Sequence, residues 1–166
     1  MIVRNEISSD FAGIGRITEL AFRDRPYAAG DEQKVIERLR ASEALALSLV
    51  AIEAGELIGH IAFSPAELSD GTQPWFALGP VSVVPDQQGK GVGSTLIRKG
   101  LRDIRSLGAL GCILTGNPAY YHRFGFELAP EHVPPNESEE FFMLKLMGDQ
   151  QPAGRFSFHR GFYGDE

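Results

Sequence analysis

At 166 residues, with 43% hydrophobic and 23% charged side chains, the chain has the size and make-up of one folded domain, which excludes a disordered or fibrous protein. A formal net charge of −6 argues against general nucleic-acid binding, which wants a basic face, and is compatible with cationic substrates. The single cysteine, Cys112, cannot form an internal disulfide, and no Cys/His cluster offers a structural metal site.

Ile2, Val3 and Ile7 in MIVRNEI predict a short opening strand. The start MIVRNEISSDF has neither a basic region nor an apolar core, so no secretory signal is read. The longest apolar segment, ALALSLVAI, is too short to cross a bilayer, and the expectation is a cytoplasmic protein with no membrane partner. Ser8, Ser9 and Asp10 offer caps for a helix carrying Phe11, Ile14, Ile17, Leu20 and Ala21, which should end near Phe22. RDRPYAAGD reads as a loop, punctuated by Pro26 and Gly30, with Asp31 placed to cap a second helix through Val35, Ile36 and Leu39. Two strands follow, ALSLVAIEA and ELIGHIAFSPAEL, joined at Ala54-Gly55 as a tight hairpin. His60, in the second, reads as a packed or solvent-facing strand residue rather than a base. Asp70-Gly71 marks a turn before a fourth strand, WFALGPVSVV.

That strand stops at Pro85, and a glycine-rich turn, GKGVGS, opens a helix with Val92, Leu96, Ile97, Leu101 and Ile104 on one face. Glycines let backbone N–H groups converge, and a helix start adds donors and a partial positive charge, which favour phosphate or pyrophosphate. A P-loop is excluded because Gly89-Lys90 is followed by Gly91 instead of Ser or Thr. The dinucleotide fingerprint fails as well, since the glycines fall at 89, 91 and 93 and LGCILTGN carries no acidic residue for a ribose. What remains is Gln88-x-x-Gly91-x-Gly93, either a pyrophosphate cradle or a tight turn with no ligand.

LGCILT is a fifth strand that makes Cys112 a buried residue, GNPAYYHRFGFELAP contains a short helix, and FFMLKLM is another strand. The stretch from Gly148 to Glu166, with RFSFHRGFYG, reads as a last strand and a mobile end, an extension of a single domain spanning 1–166. No repeat or low-complexity segment interrupts the order. The elements predict a mixed α/β fold, with a mostly antiparallel central sheet flanked by helices.

Gln88-x-x-Gly91-x-Gly93 after a Val-x-Val strand resembles the acetyl-CoA pyrophosphate motif of the GCN5-related N-acetyltransferase (GNAT) superfamily. TGNPAYYHRFGFE adds a second match, with Tyr121 four residues before Gly125-Phe126. The order of elements over roughly residues 1 to 147 is similar too, and LGPVSVVPDQQGKGVGS with YYHRFGF looks most like a bacterial group of acetyltransferases of unknown substrate. The resemblance implies a sheet split between strands 4 and 5, acetyl-CoA as acyl donor, no metal, and direct transfer to a primary amine. The amides of Gln88, Gly89, Lys90, Gly91, Val92, Gly93 and Ser94 would hold the pyrophosphate, with Lys90 adding charge. The strand edge at Val83 would pair with the pantetheine arm, and Pro80, which has no N–H, favours the bulge or break that leaves this edge open. The Val81 amide would take the thioester carbonyl. Tyr121 would be the general acid, although a packed aromatic is the other reading, with Tyr120 beside it; Asn117 is a further pantetheine candidate.

The glutamate that some members use as base falls at Ala77, so deprotonation must come from elsewhere. Glu137, Glu139 and Glu140 are candidates by region, or a solvated charge run. The acceptor is expected to be a small molecule or an amino-acid-like amine rather than a bulky protein, and the resemblance implies a site built from the Arg23–Asp31 loop, with Pro26, Tyr27 and Gly30, the far end of the split sheet, and the segment around His132–Glu140. A homodimer is compatible with all of this. A different class of function, a non-catalytic acyl-CoA-binding sensor, would use the same binding motif.

Overall fold

The computed structural model describes residues 1–26, 28 and 30–164. Its first half runs β1 (Ile2–Asn5), α1 (Phe11–Phe22), α2 (Glu32–Ala41), β2 (Leu47–Glu53), β3 (Glu56–Leu68) and β4 (Trp75–Val83). Its second half runs α3 (Val92–Ser106), β5 (Gly111–Thr115), α4 (Pro118–Tyr121), β6 (Glu127–Leu128), β7 (Phe142–Leu146) and β8 (Phe156–Ser157). The strands are ordered β1-β2-β3-β4-β5-β7-β6, with β8 paired to the end of β3. Among the described residues only β4 and β5 run parallel, because α3 carries the chain across between them. The mixed, mostly antiparallel sheet expected from the sequence is present. Ala54 and Gly55, with φ of 52° and 79°, make the two-residue hairpin between β2 and β3.

Strand alternation sorts the core onto two faces. Leu49, Ile61 and Phe63 meet Leu96, Ile97 and Ile104 of α3 on one side. On the other, Val50 meets Ile14 of α1 and Ile36 of α2. α3 lies close to the sheet because Gly100 has no side chain; a Cβ there would run into the Phe63 ring. Among the described residues no helix is long and apolar enough to cross a membrane.

β4 and β5 pair only over Trp75–Gly111, Phe76–Cys112 and Ala77–Ile113. Beyond that point they part. Phe63 faces Leu78 while Ile61 faces Val81, so β4 carries an extra residue around Gly79-Pro80 and bulges. β5 meanwhile continues along β7 to the Thr115–Phe142 pair. The sheet therefore opens between its fourth and fifth strands, as the proline suggests.

The tail carries the expected last strand, β8, and packs further beyond it. Phe156 of β8 is fully buried, edge-on to Trp75 at 5.1 Å. The 3-10 turn Arg160–Phe162 then packs on α2, with Arg38 Nε donating to the Gly161 carbonyl at 2.8 Å. Apolar side chains at 156, 158 and 162 give this segment enough to bury. Asp165 and Glu166 lie outside the described residues.

A buried polar chain fastens the α1 side. Arg40 pairs with Glu6 at 2.8 Å, Ser48 Oγ lies 2.6 Å from a Glu6 oxygen, and His60 Nε2 lies 2.7 Å from Ser48 Oγ. Since Ser48 donates to the carboxylate, His60 Nε2–H is the donor to Ser48, which fixes a neutral tautomer. Burial, with Arg40 adding to it and Asp10 opposing, depresses the His60 pKa to about 3. His60 is thus a packed strand residue, charged only in acid.

Unfolded, His60 binds its proton near 6.5, so between that value and about 3 the unfolded chain holds more protons than the folded one. Stability is then fully present above about pH 6.5 and falls toward pH 3, by up to ~1.4 kcal/mol per unit. Thermal melts across this range should show the decline, and His60→Gln, which keeps an N–H for Ser48, should flatten it. An unchanged slope in the variant would assign the acid sensitivity to other groups.

Candidate active site

Where β4 and β5 part, a cleft of about 1240 Å³ opens through the sheet. The end of β4 forms one wall. Val84 N donates to the Ile58 carbonyl at 3.0 Å, so by alternation Ser82 and Val84 point their peptide groups at β3. Val81 and Val83 point theirs into the cleft. The Val83 carbonyl accepts from Gln88 Nε2 at 2.9 Å, and Gln88 Oε1 accepts from Arg25 at 2.7 Å. A side-chain amide therefore pairs with β4 where a peptide strand would.

The glycine-rich turn sits at the mouth. Gly91 has φ 87° and is the N-cap of α3. The first amide of this run with a protein acceptor is that of Thr95, bonded to the Gly91 carbonyl at 3.0 Å. Among the described residues, the amides of Gly89 through Ser94 donate to no protein group. Converging amides at the start of a 15-residue helix favour an anion. Gln88, Gly89, Gly91, Val92, Gly93 and Ser94 all line the cleft. Lys90 does not: it is exposed on the turn between two left-handed glycines, away from the lining.

Asn117, Tyr120 and Tyr121 also line it. Asn117 Oδ1 caps α4 by accepting from Ala119 N at 3.0 Å, which engages its acceptor oxygen. Tyr120 reaches toward the glycine turn, and a Cβ on Gly93 would lie 3.4 Å from its hydroxyl. Tyr121 lies against Gly116, where a Cβ would come within 2.7 Å of the ring, and is edge-on to Phe126 at 6.1 Å. The two rings, 5.0 Å apart at 83°, point to different parts of the cleft. Ala77 is buried and paired with Ile113, so no carboxylate arises there.

Both tyrosines pack with the α3 core. The opposite face of the opening is built from α1, α2, the segment before β7 and the tail: Phe22, Val35, Phe141, Phe158 and Phe162, with Asp31, Glu32 and Glu137. Of the expected acceptor segments, Arg25, Asp31 and Glu137 reach the cleft, Tyr27 lies outside the described residues, and His132 instead bonds the Gly154 carbonyl at 2.7 Å. Glu139 and Glu140 are exposed. Phe158 and Phe162 went unassigned in the sequence, where their four-residue spacing was the available signal, and Arg25 entered only as part of the Arg23–Asp31 loop. The cleft thus joins a helix start with converging amides, an open strand edge at Val81 and Val83, two phenol side chains, and an aromatic and acidic chamber.

Residues 3–129 match the model of the acetyltransferase (GNAT) domain. The chain is 34% identical over 133 residues to the uncharacterized N-acetyltransferase YhbS of Escherichia coli strain K12, covering 80% of this chain and 77% of that protein. A GNAT family acetyltransferase from Brucella melitensis, solved in complex with acetyl-CoA, is 42% identical with a TM-score of 0.86, covering 97% of each chain. The structure of Escherichia coli YhbS in complex with CoA is 29% identical with a TM-score of 0.88, covering 98% of this chain and 93% of that one.

The left-handed Gly91 is the geometric weak point of the turn. Gly91→Val meets no neighbour but is forced into a disfavoured backbone region, at a cost of about 1–2 kcal/mol. A melting temperature lower by a few degrees with an unchanged far-UV spectrum is expected; no loss of stability would mean that the loop readily takes another path.

Proposed function

The chain belongs to the GNAT acetyltransferase family, and from that membership we propose that it moves the acetyl group of acetyl-CoA directly to a small primary amine. The observation that carries this reading is the open β4 edge, with Val81 and Val83 turned into a cleft beside a run of free amides.

Acetyl-CoA supplies an acyl group activated as a thioester, and the amine lone pair forms the C–N bond as the C–S bond breaks. The amides of Gly89 through Ser94 hold the pyrophosphate. The Val83 peptide group pairs with the pantetheine amides as a strand would, displacing the Gln88 carboxamide. The Val81 N–H receives the charge that develops on the carbonyl oxygen, and such a donor contributes about 3 kcal/mol. Tyr121 gives its phenolic proton to the departing thiolate and recovers one from water, which also takes the proton released by the amine nitrogen. Tyr120, with its hydroxyl by Gly93, acts in cofactor binding.

Tyr121→Phe keeps the packing on Gly116 and Phe126 and removes only the hydroxyl. Turnover should fall about 10²-fold with acetyl-CoA affinity unchanged, the scale of a lost general acid. Steady-state kinetics with calorimetry checks this. Full turnover would return Tyr121 to the role of a packed aromatic, and undiminished acetyl-CoA affinity in folded Gly91→Val would remove the pyrophosphate assignment. Tight acetyl-CoA binding without transfer to any amine would instead favour a sensor.

A further inference from the structure

The two mouths of the cleft carry opposite chemistry. On the α3 side lie the free amides and, near them, Arg25 on Gln88 and Arg123 over the Tyr120 ring at 4.8 Å. On the other side the walls are mostly phenylalanines, and the polar groups among them are the carboxylates of Asp31, Glu32 and Glu137 and the Thr115 hydroxyl. Since a thioester entering from the α3 side presents its carbonyl at the opening, the second reactant must approach from this aromatic face.

Glu137 stands out on that face. Its Oε1 accepts from Thr115 Oγ1 at 2.9 Å and its Oε2 from Tyr163 Oη at 2.6 Å. Both donors are neutral, and no cation pairs with Glu137 among the described residues. The neighbouring Asp31 differs, since Arg38 lies 3.3 Å from it. Two hydroxyls aim the Glu137 carboxylate and leave lone pairs open to a further donor. The clasp is held in place from both ends. Thr115 ends β5, and Tyr163 follows a tail fixed by β8 on β3 and by Arg38 on the Gly161 carbonyl. Burial, and then the bond and charge of Glu137, push the Tyr163 phenol upward, so it stays a donor.

Resting on the acetyl-transfer reading, we propose that the acceptor is a monocationic primary amine with an aryl or alkyl body and no carboxylate beside the nitrogen. Glu137, clasped by the C-terminal extension through Tyr163, is the residue that selects it. Phe158 and Phe162 take the apolar body, and Glu137 takes the ammonium, which gives one proton to water to leave the neutral amine that attacks. An α-carboxylate would meet Glu137, whose two partners are neutral hydroxyls, in the same chamber, while Arg25 is turned toward Gln88. Amino acids are therefore disfavoured against the amines they resemble.

The test measures thiol release from acetyl-CoA with 2-phenylethylamine and with L-phenylalanine, which differ by one carboxylate, alongside calorimetry of acetyl-CoA. The wild-type protein should prefer 2-phenylethylamine by at least about tenfold in kcat/KM, the scale of one unfavourable charge contact. Glu137→Gln should raise KM for this amine about tenfold and leave its kcat within about threefold, with the KM for acetyl-CoA unchanged, as expected for a lost charged hydrogen bond. Tyr163→Phe should shift the same KM in the same direction by less. Equal or better use of L-phenylalanine overturns the inference. So does an unchanged amine KM in Glu137→Gln, or failure to use 2-phenylethylamine by a protein that binds acetyl-CoA. Failure to bind acetyl-CoA at all overturns the acetyl-transfer reading beneath it.

Discussion

The parting of β4 from β5 after the Ala77–Ile113 pair is the constraint from which the rest of the molecule follows. A parallel pair inside a sheet would normally continue, because unpaired peptide groups away from water cost free energy. Here the bulge around Gly79-Pro80 turns β4 aside, and the peptide groups of Val81 and Val83 are left facing a cleft. The Gln88 carboxamide satisfies the Val83 carbonyl, which makes the open edge tolerable without closing it. A gap through a sheet also has two mouths. One receives the glycine turn, α3 and both tyrosines; the other receives α1, α2 and the tail.

Each mouth is stiffened by contacts that do no chemistry. Gly100 lets α3 settle onto Phe63, which fixes the helix start where the amides converge. On the opposite face, Glu6, Arg40, Ser48 and His60 tie the chain before α1 and the end of α2 to β2 and β3. Thr18 of α1 lies 3.3 Å from Ser82, the strand neighbour whose side chain faces away from α3. The geometry of β4 is thus held from both sides, and Arg25, three residues beyond α1, bonds the side chain of Gln88 on the loop after β4.

Much of this is legible in the sequence because it is local. The Val-x-Val run, the proline, the glycine spacing and the apolar stripe of α3 all fall within neighbouring residues, and they specify a strand, a turn and a helix without reference to anything distant. The tyrosine position before Gly125-Phe126 is local in the same way. What escaped depends on long-range contacts. Glu137 reads as part of a solvated charge run, and its two partners lie 22 and 26 residues away. Phe158 and Phe162 look like an aromatic tail until β8 pairs with β3 across the chain. Lys90, whose place within the turn suggests charge near a ligand, is exposed between two left-handed glycines and is not among the residues lining the cleft.

The most direct test of the open-edge account is amide hydrogen exchange along β4, residue by residue, with and without acetyl-CoA. Ser82 and Val84 face β3 and should be protected in both states, whereas Val81 and Val83 should exchange faster in the free protein and slow markedly at saturating acetyl-CoA. Val81 and Val83 amides that exchange at the same rate in the two states would contradict it, since no ligand would then be pairing with the strand.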